Sequence, residues 1–126
     1  HCRHFKATLA QAEDQIFGYN HQHIGHALVR EWNLPAVYHS AIGFHHHPET
    51  VDSKHAHYAV IATVHLANAF AKVNLLGSGG DPFIPHIEES TLNYLELNLG
   101  DIETLLRDIE IESREATSIL LGKSNP

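Results

Sequence analysis

Residues 13–48 read EDQIFGYNHQHIGHALVREWNLPAVYHSAIGFHHHP. Gly18 stops a helix that arrives from upstream, since glycine takes the left-handed conformation found just past helix ends. Asn20 caps the next helix, because its side chain can accept from free backbone N–H groups of the first turn. That helix runs to about Asn33, with Ile24, Leu28 and Trp32 as its apolar i, i+4, i+8 stripe. Pro35 suits the first turn of a third helix, where its missing N–H is not needed. The third helix is expected to bury Val37, Ala41 and Ile42 and to end near His45, before Pro48. Gly25 permits close helix packing, and Trp32 with Leu34-Pro35 is expected to fix the corner between the two helices.

The same periodicity extends outward. Residues 5–17 put Phe5, Leu9, Ala12, Ile16 and Phe17 on one side. After a polar connector at 49–53, the longest apolar segment runs from about Lys54 to Leu76. Ile61, Val64, Asn68 and Ala71 share one face of it, flanked by Val60, Ala67 and Phe70. Gly77-Ser78-Gly79-Gly80-Asp81-Pro82 is a break. It resembles a phosphate-binding loop in composition only, as no Gly-Lys-Ser/Thr follows. A helix over roughly 86–96 and another from about 99 to 121 complete the chain. Asn98 caps the last, and Ile102, Leu105, Leu106, Ile109, Ala116, Ile119 and Leu120 can supply its buried stripe. No strand alternation appears. The expected fold is all-α, a compact bundle of five to seven helices, read as one domain over residues 1–126.

Composition excludes several function classes. Eight Lys+Arg against fifteen Asp+Glu give a net charge of −7, a poor basis for binding nucleic acid. The excess sits late: residues 86–126 carry nine acidic and three basic residues, and are read as a solvated helical face. A single cysteine, Cys2, excludes a disulfide framework and any Cys-rich metal cluster. No stretch approaches the ~20 apolar residues of a membrane span, and the N-terminus has no signal-peptide pattern.

The distinctive count is thirteen histidines. Imidazole binds zinc, iron, nickel and copper, and a site needs three or four ligands converging on one point. No His-Glu-x-x-His is present and no His-Asp dipeptide occurs. The candidates are therefore dispersed: His21, His23 and His26 on the second helix, His45, His46 and His47 ending the third, and His55, His57 and His65 around the fourth. The face of His23 and His26 reads as solvated. The alternative is a set of surface or hydrogen-bonded core histidines.

Spacing narrows the choice. Glu13, Gly18, His21, Gly25, Leu28, Trp32, Leu34, Pro35, Ile42, His45, His46 and Pro48 form a run that resembles the second half of an HDOD domain, a branch of the HD-domain superfamily. His65-Leu66-Ala67-Asn68 looks like that family's following helix, and the stretch from Leu99 is similar to its C-terminal helices. The resemblance spans about residues 5–121. It implies that the chain is the C-terminal portion of an HDOD domain whose HD-doublet region lies upstream. It further implies metal ligation by His21, His45 and His46, which match histidines of the related HD-GYP phosphodiesterases. Asn68 stands where those enzymes carry a metal-binding Asp, and the segment after His46 lacks a GYP-like motif. Both departures point away from catalysis. The cofactor stays open between none, the expectation for this stretch alone, and a divalent transition metal (Fe, Zn, Mn or Ni).

Three functions follow. The first is a non-catalytic signal-transduction module of the bacterial cytoplasm, working through contacts with signalling proteins or other domains of its own polypeptide. The second is a metal-dependent HD-type phosphohydrolase completed by an upstream doublet. The third is an incidental metal-binding or pH-responsive module built on the histidines alone.

Overall fold

Why the chain folds into helices is clearest at their starts. A computed structural model describes residues 7–77 and 83–122. In it Thr8, Asn20 and Asn98 each close a capping box with the residue three positions on. They open α1 (Leu9–Phe17), α2 (His21–Glu31) and α6 (Leu99–Leu120). α3 covers Ala36–Phe44, α4 Tyr58–Val73 and α5 Glu89–Tyr94, and a 3-10 turn spans Pro48–Thr50. Among the described residues there are six α-helices and no strand, as expected for an all-α bundle. None is long and apolar enough to cross a membrane.

The boundaries shift for identifiable reasons. α1 begins at Leu9 because Thr8 and Gln11 form the cap; Phe5 and Cys2 lie outside the described residues, as do residues 78–82 of the glycine-rich break. Gly18 ends α1 at φ +78°. α2 ends two residues earlier than expected, and Asn33 at φ +51° turns the chain into α3. Pro35 is the N-cap of α3 rather than a first-turn residue. α4 starts later and stops earlier than its apolar segment, and part of the 49–53 connector is the 3-10 turn.

α4 is the centre of the core. Tyr58, Ile61, Ala62, His65, Leu66, Ala69 and Phe70 are all buried on it. Asn68 and Ala71 lie beside this face half-buried, while Val60, Val64 and Ala67 are exposed. α3 packs on α4, α2 on α3, and α1 on α2; α5 and the 3-10 turn close the other side.

Three expected apolar stripes are not interior. Ile24, Leu28 and Trp32 are 49%, 42% and 65% exposed. The face of α2 that meets α3 is instead Gln22, Gly25 and His26, with Val29 buried next in the same stripe. A Cβ at Gly25 would sit 2.7 Å from Ile42 Cγ2, so the missing side chain sets the approach of the two helices. Close approach selects the face with the smallest residue and leaves the most apolar face outward. Trp32 therefore does not fix the corner by burial. On α3, Val37, Ala41 and Ile42 are half-buried and Ser40 is the buried residue. Ile16 and Phe17 of α1 are exposed, and Ala12 is buried. No residue of α6 is buried. It faces the end of α4 across a groove lined by Leu75, Leu76, Glu110, Arg114 and Thr117; of its stripe Ile102, Leu106 and Ile109 are half-buried and the rest exposed.

Candidate metal centre

α2 and α3 run antiparallel as a hairpin, and its register builds the site. Gly25 lies against Ile42, Gln22 Nε2 donates to the Gly43 carbonyl at 3.2 Å, and His26 meets His39 edge to face. Continued by one turn, the register sets the first residue of α2, His21, opposite His46 just beyond α3. Their Nε2 atoms are 2.8 Å apart. The C-cap residue of α3, His45, lies against His46 with ring centres 4.1 Å apart and the planes tilted by 41°. One ring nitrogen from each of His21, His45 and His46 lies within 4.8 Å of the others. The three histidines singled out by the resemblance are thus brought together. His23, His26, His47, His55 and His57 stay outside the cluster: His23 serves the α2 cap, and His47 pairs with Glu49.

Ring orientation is fixed from behind. Glu13 Oε2 accepts from the His21 ring Nδ1–H at 2.6 Å and from the His21 backbone N–H at 2.9 Å. His45 Nδ1–H donates to the carbonyls of Ile42 and Ala41, at 3.0 and 3.2 Å. A carbonyl or carboxylate only accepts, so both rings carry a proton on Nδ1 and turn Nε2 elsewhere. This is the arrangement in which outer partners orient histidine ligands. Between His21 and His46 one Nε2 donates and the other accepts.

Electrostatics favour the neutral form at His46 and His45. Burial pushes His46 down to about 3, helped by the neighbouring charges of His45, His21, His47 and Lys72. Burial also lowers His45, with the charges of His21 and His65 adding to it, against the hydrogen bonds to Ile42 and Ala41. For Glu13, burial pulls upward, but the hydrogen bonds from the His21 backbone and ring, and the ring's charge, hold it below the ordinary carboxylate value.

Sequence reasoning missed two supporting residues. Glu13 stood in the motif run without a role, although its spacing to His21 was visible. His65 is 1% exposed and not a surface residue. Its Nδ1–H donates to the His45 carbonyl at 2.7 Å and its Nε2 accepts from the Glu88 backbone N–H at 3.3 Å. It pins the segment bearing His45 and His46 to α4.

Does this set suit a metal? Bonds of ~2.0–2.1 Å in a tetrahedral site put ligand nitrogens about 3.4 Å apart. The observed spacings, 2.8 Å at the closest and 4.8 Å at most, bracket that value. Three neutral imidazoles match a borderline transition ion such as Zn or Ni rather than oxygen-seeking Mg or Ca.

A family model for the HDOD domain matches residues 1–48. The HDOD match contains the whole α2–α3 hairpin with His21, His45 and His46, and ends at Pro48. The helix bearing His65 and Asn68 lies beyond it. No curated protein and no solved structure matches the chain.

Proposed function

We propose that the chain is a regulatory HDOD-type signal-transduction module, non-catalytic, that acts through contacts with signalling proteins or other domains of its own polypeptide in a bacterial cytoplasm. The observation that carries this reading is the donor set. Among the described residues, three imidazoles converge without a carboxylate; Glu13, the nearest one, is spent on the far nitrogen of His21. Two-metal phosphoryl-transfer centres hold oxygen-preferring ions such as Mn on carboxylates, which this donor set lacks. The exposed Ile24, Leu28 and Trp32, with Leu34 and Tyr38 beside them in sequence, support action through protein contacts, since contiguous exposed apolar surface marks interaction sites.

Within the module His21, His45 and His46 are the metal ligands. A bound ion would tie the start of α2 to the end of α3, and so stiffen the hairpin that presents the apolar surface. A metal also supplies Lewis acidity when bound, and this supports a second reading, a phosphohydrolase. The convergence of the rings and the Glu13 grip on His21 favour it.

The test is hydrolysis of phosphodiesters by the full-length protein loaded with Mn, Fe or Ni. No turnover is expected. Metal-dependent turnover abolished by His45→Ala overturns the non-catalytic reading in favour of the second.

A further inference from the structure

His26 on α2 and His39 on α3 meet across the middle of the hairpin, with ring centres 5.3 Å apart and planes at 87°. The register that sets Gly25 against Ile42 and Gln22 on the Gly43 carbonyl sets these two opposite each other. Every other histidine of the hairpin has a ring nitrogen engaged. His21 meets Glu13 and His46, His23 accepts from the Asn20 N–H, His45 donates to the Ala41 and Ile42 carbonyls, and His47 pairs with Glu49. Among the described residues, no ring nitrogen of His26 or His39 has a hydrogen bond or an ion pair. A neutral imidazole keeps one lone pair, so each ring has a ligand atom to spare. His26 is exposed and His39 half-buried, and solvent reaches the pair. Neither residue lines the cavity beside His21, His45 and His46.

Two imidazoles on one tetrahedral ion, at bonds of ~2.0–2.1 Å, have ring centres about 5 Å apart, because each centre lies about 3 Å from the metal. The observed separation already has that value. A rotation about the Cβ–Cγ bonds aims one lone pair from each ring at a shared point, and rings bound to one ion need not be coplanar. Arg30 stands one turn further along α2 and opposes a cation there, but its charge is exposed and screened by water and salt. We propose that His26 and His39 form a second metal site, a cross-helix chelate for a borderline divalent ion such as Cu(II), Ni(II) or Zn(II), with water completing the coordination. It is separate from the cluster of His21, His45 and His46 and does not rest on metal binding there. The chelate exists only when α2 and α3 are in register, so the ion binds the folded chain in preference to the unfolded one and clamps the hairpin at its middle.

The experiment titrates Ni(II) into the full chain at neutral pH, read by calorimetry and by the urea midpoint. Single surface imidazoles also bind Ni(II), so dependence on the two residues decides, not the number of ions bound. The parent should show a binding event that His26→Asn and His39→Asn each weaken at least about tenfold. The double variant should be no weaker than either, because a chelate that has lost one arm is already lost. His55→Asn, outside the hairpin, should leave the event unchanged. Without metal all variants should unfold like the parent, and Ni(II) should raise the urea midpoint of the parent more than that of the double variant. If either single variant binds as the parent does, if the two losses add, or if Ni(II) shifts parent and double variant equally, the site is wrong. Ions held by His21, His45 and His46 are untouched by these substitutions, so failure of this site leaves that cluster as it stands.

Discussion

His21 Nε2 faces His46 Nε2 at 2.8 Å, across a hairpin whose register is set by Gly25 against Ile42. Two bare lone pairs cannot sit that close, so one proton lies between the rings. The orientation of that pair depends on Glu13, which holds the opposite edge of His21.

Glu13→Gln should therefore weaken zinc binding about 10–100-fold, the usual effect of losing an outer partner of a ligating histidine. The helical content should stay as in the parent. Competition with a chromogenic chelator measures it, and unchanged affinity would show that Glu13 does not orient a ligand.

Stability should fall as the pH drops below about 6.5. The folded chain keeps His46 neutral to about pH 3, whereas the unfolded chain takes up its proton near 6.5. Its contribution is fully present above 6.5 and is lost progressively toward 3; the lowered His45 adds in the same direction. Between pH 6.5 and 5, His46 alone accounts for roughly 1–2 kcal/mol. Urea unfolding of metal-free protein across this range gives the slope, and His46→Gln should flatten it. A parent slope no steeper than the variant's contradicts the assignment.

Gly25→Ala should destabilise the chain despite alanine's better helix propensity. The new Cβ meets Ile42 Cγ2 at 2.7 Å. Overpacking costs about 1–3 kcal/mol, against up to ~1 kcal/mol gained in the helix. Adding Ile42→Ala should relieve the clash, so the double variant should be more stable than the two single costs predict. Additive costs would mean that the helices do not meet at this pair.

His65→Ala should be among the most damaging single changes, at about 3 kcal/mol or more. It removes a buried ring and orphans the His45 carbonyl and the Glu88 N–H. A loss under 1 kcal/mol in thermal or urea unfolding would refute the pinning role.

Trp32→Ser, by contrast, should change stability by less than about 0.5 kcal/mol, because the side chain is 65% exposed. A buried Trp would lose ~3–5 kcal/mol on truncation to Ala. Urea unfolding therefore separates the two placements cleanly.

The sequence by itself determined the helices and the ends that carry a cap or stop residue. Asn20, Asn98 and Gly18 act within a few residues of themselves, and such local chemistry is legible without a fold. It also singled out His21, His45 and His46 from thirteen, through the run of residues that resembles an HDOD domain; that the far ends of α2 and α3 meet is what the fold adds. Tertiary structure alone decided which faces are inside. Periodicity marks Ile24, Leu28 and Trp32 as one apolar stripe, but only the approach at Gly25 shows that α3 packs elsewhere on α2. The same holds for α6, none of whose stripe is fully buried. His65 and Asn68 share one helix and differ by three positions. One is a satisfied bridge and the other holds an unpaired donor, because hydrogen-bond partners distant in sequence are supplied by the fold.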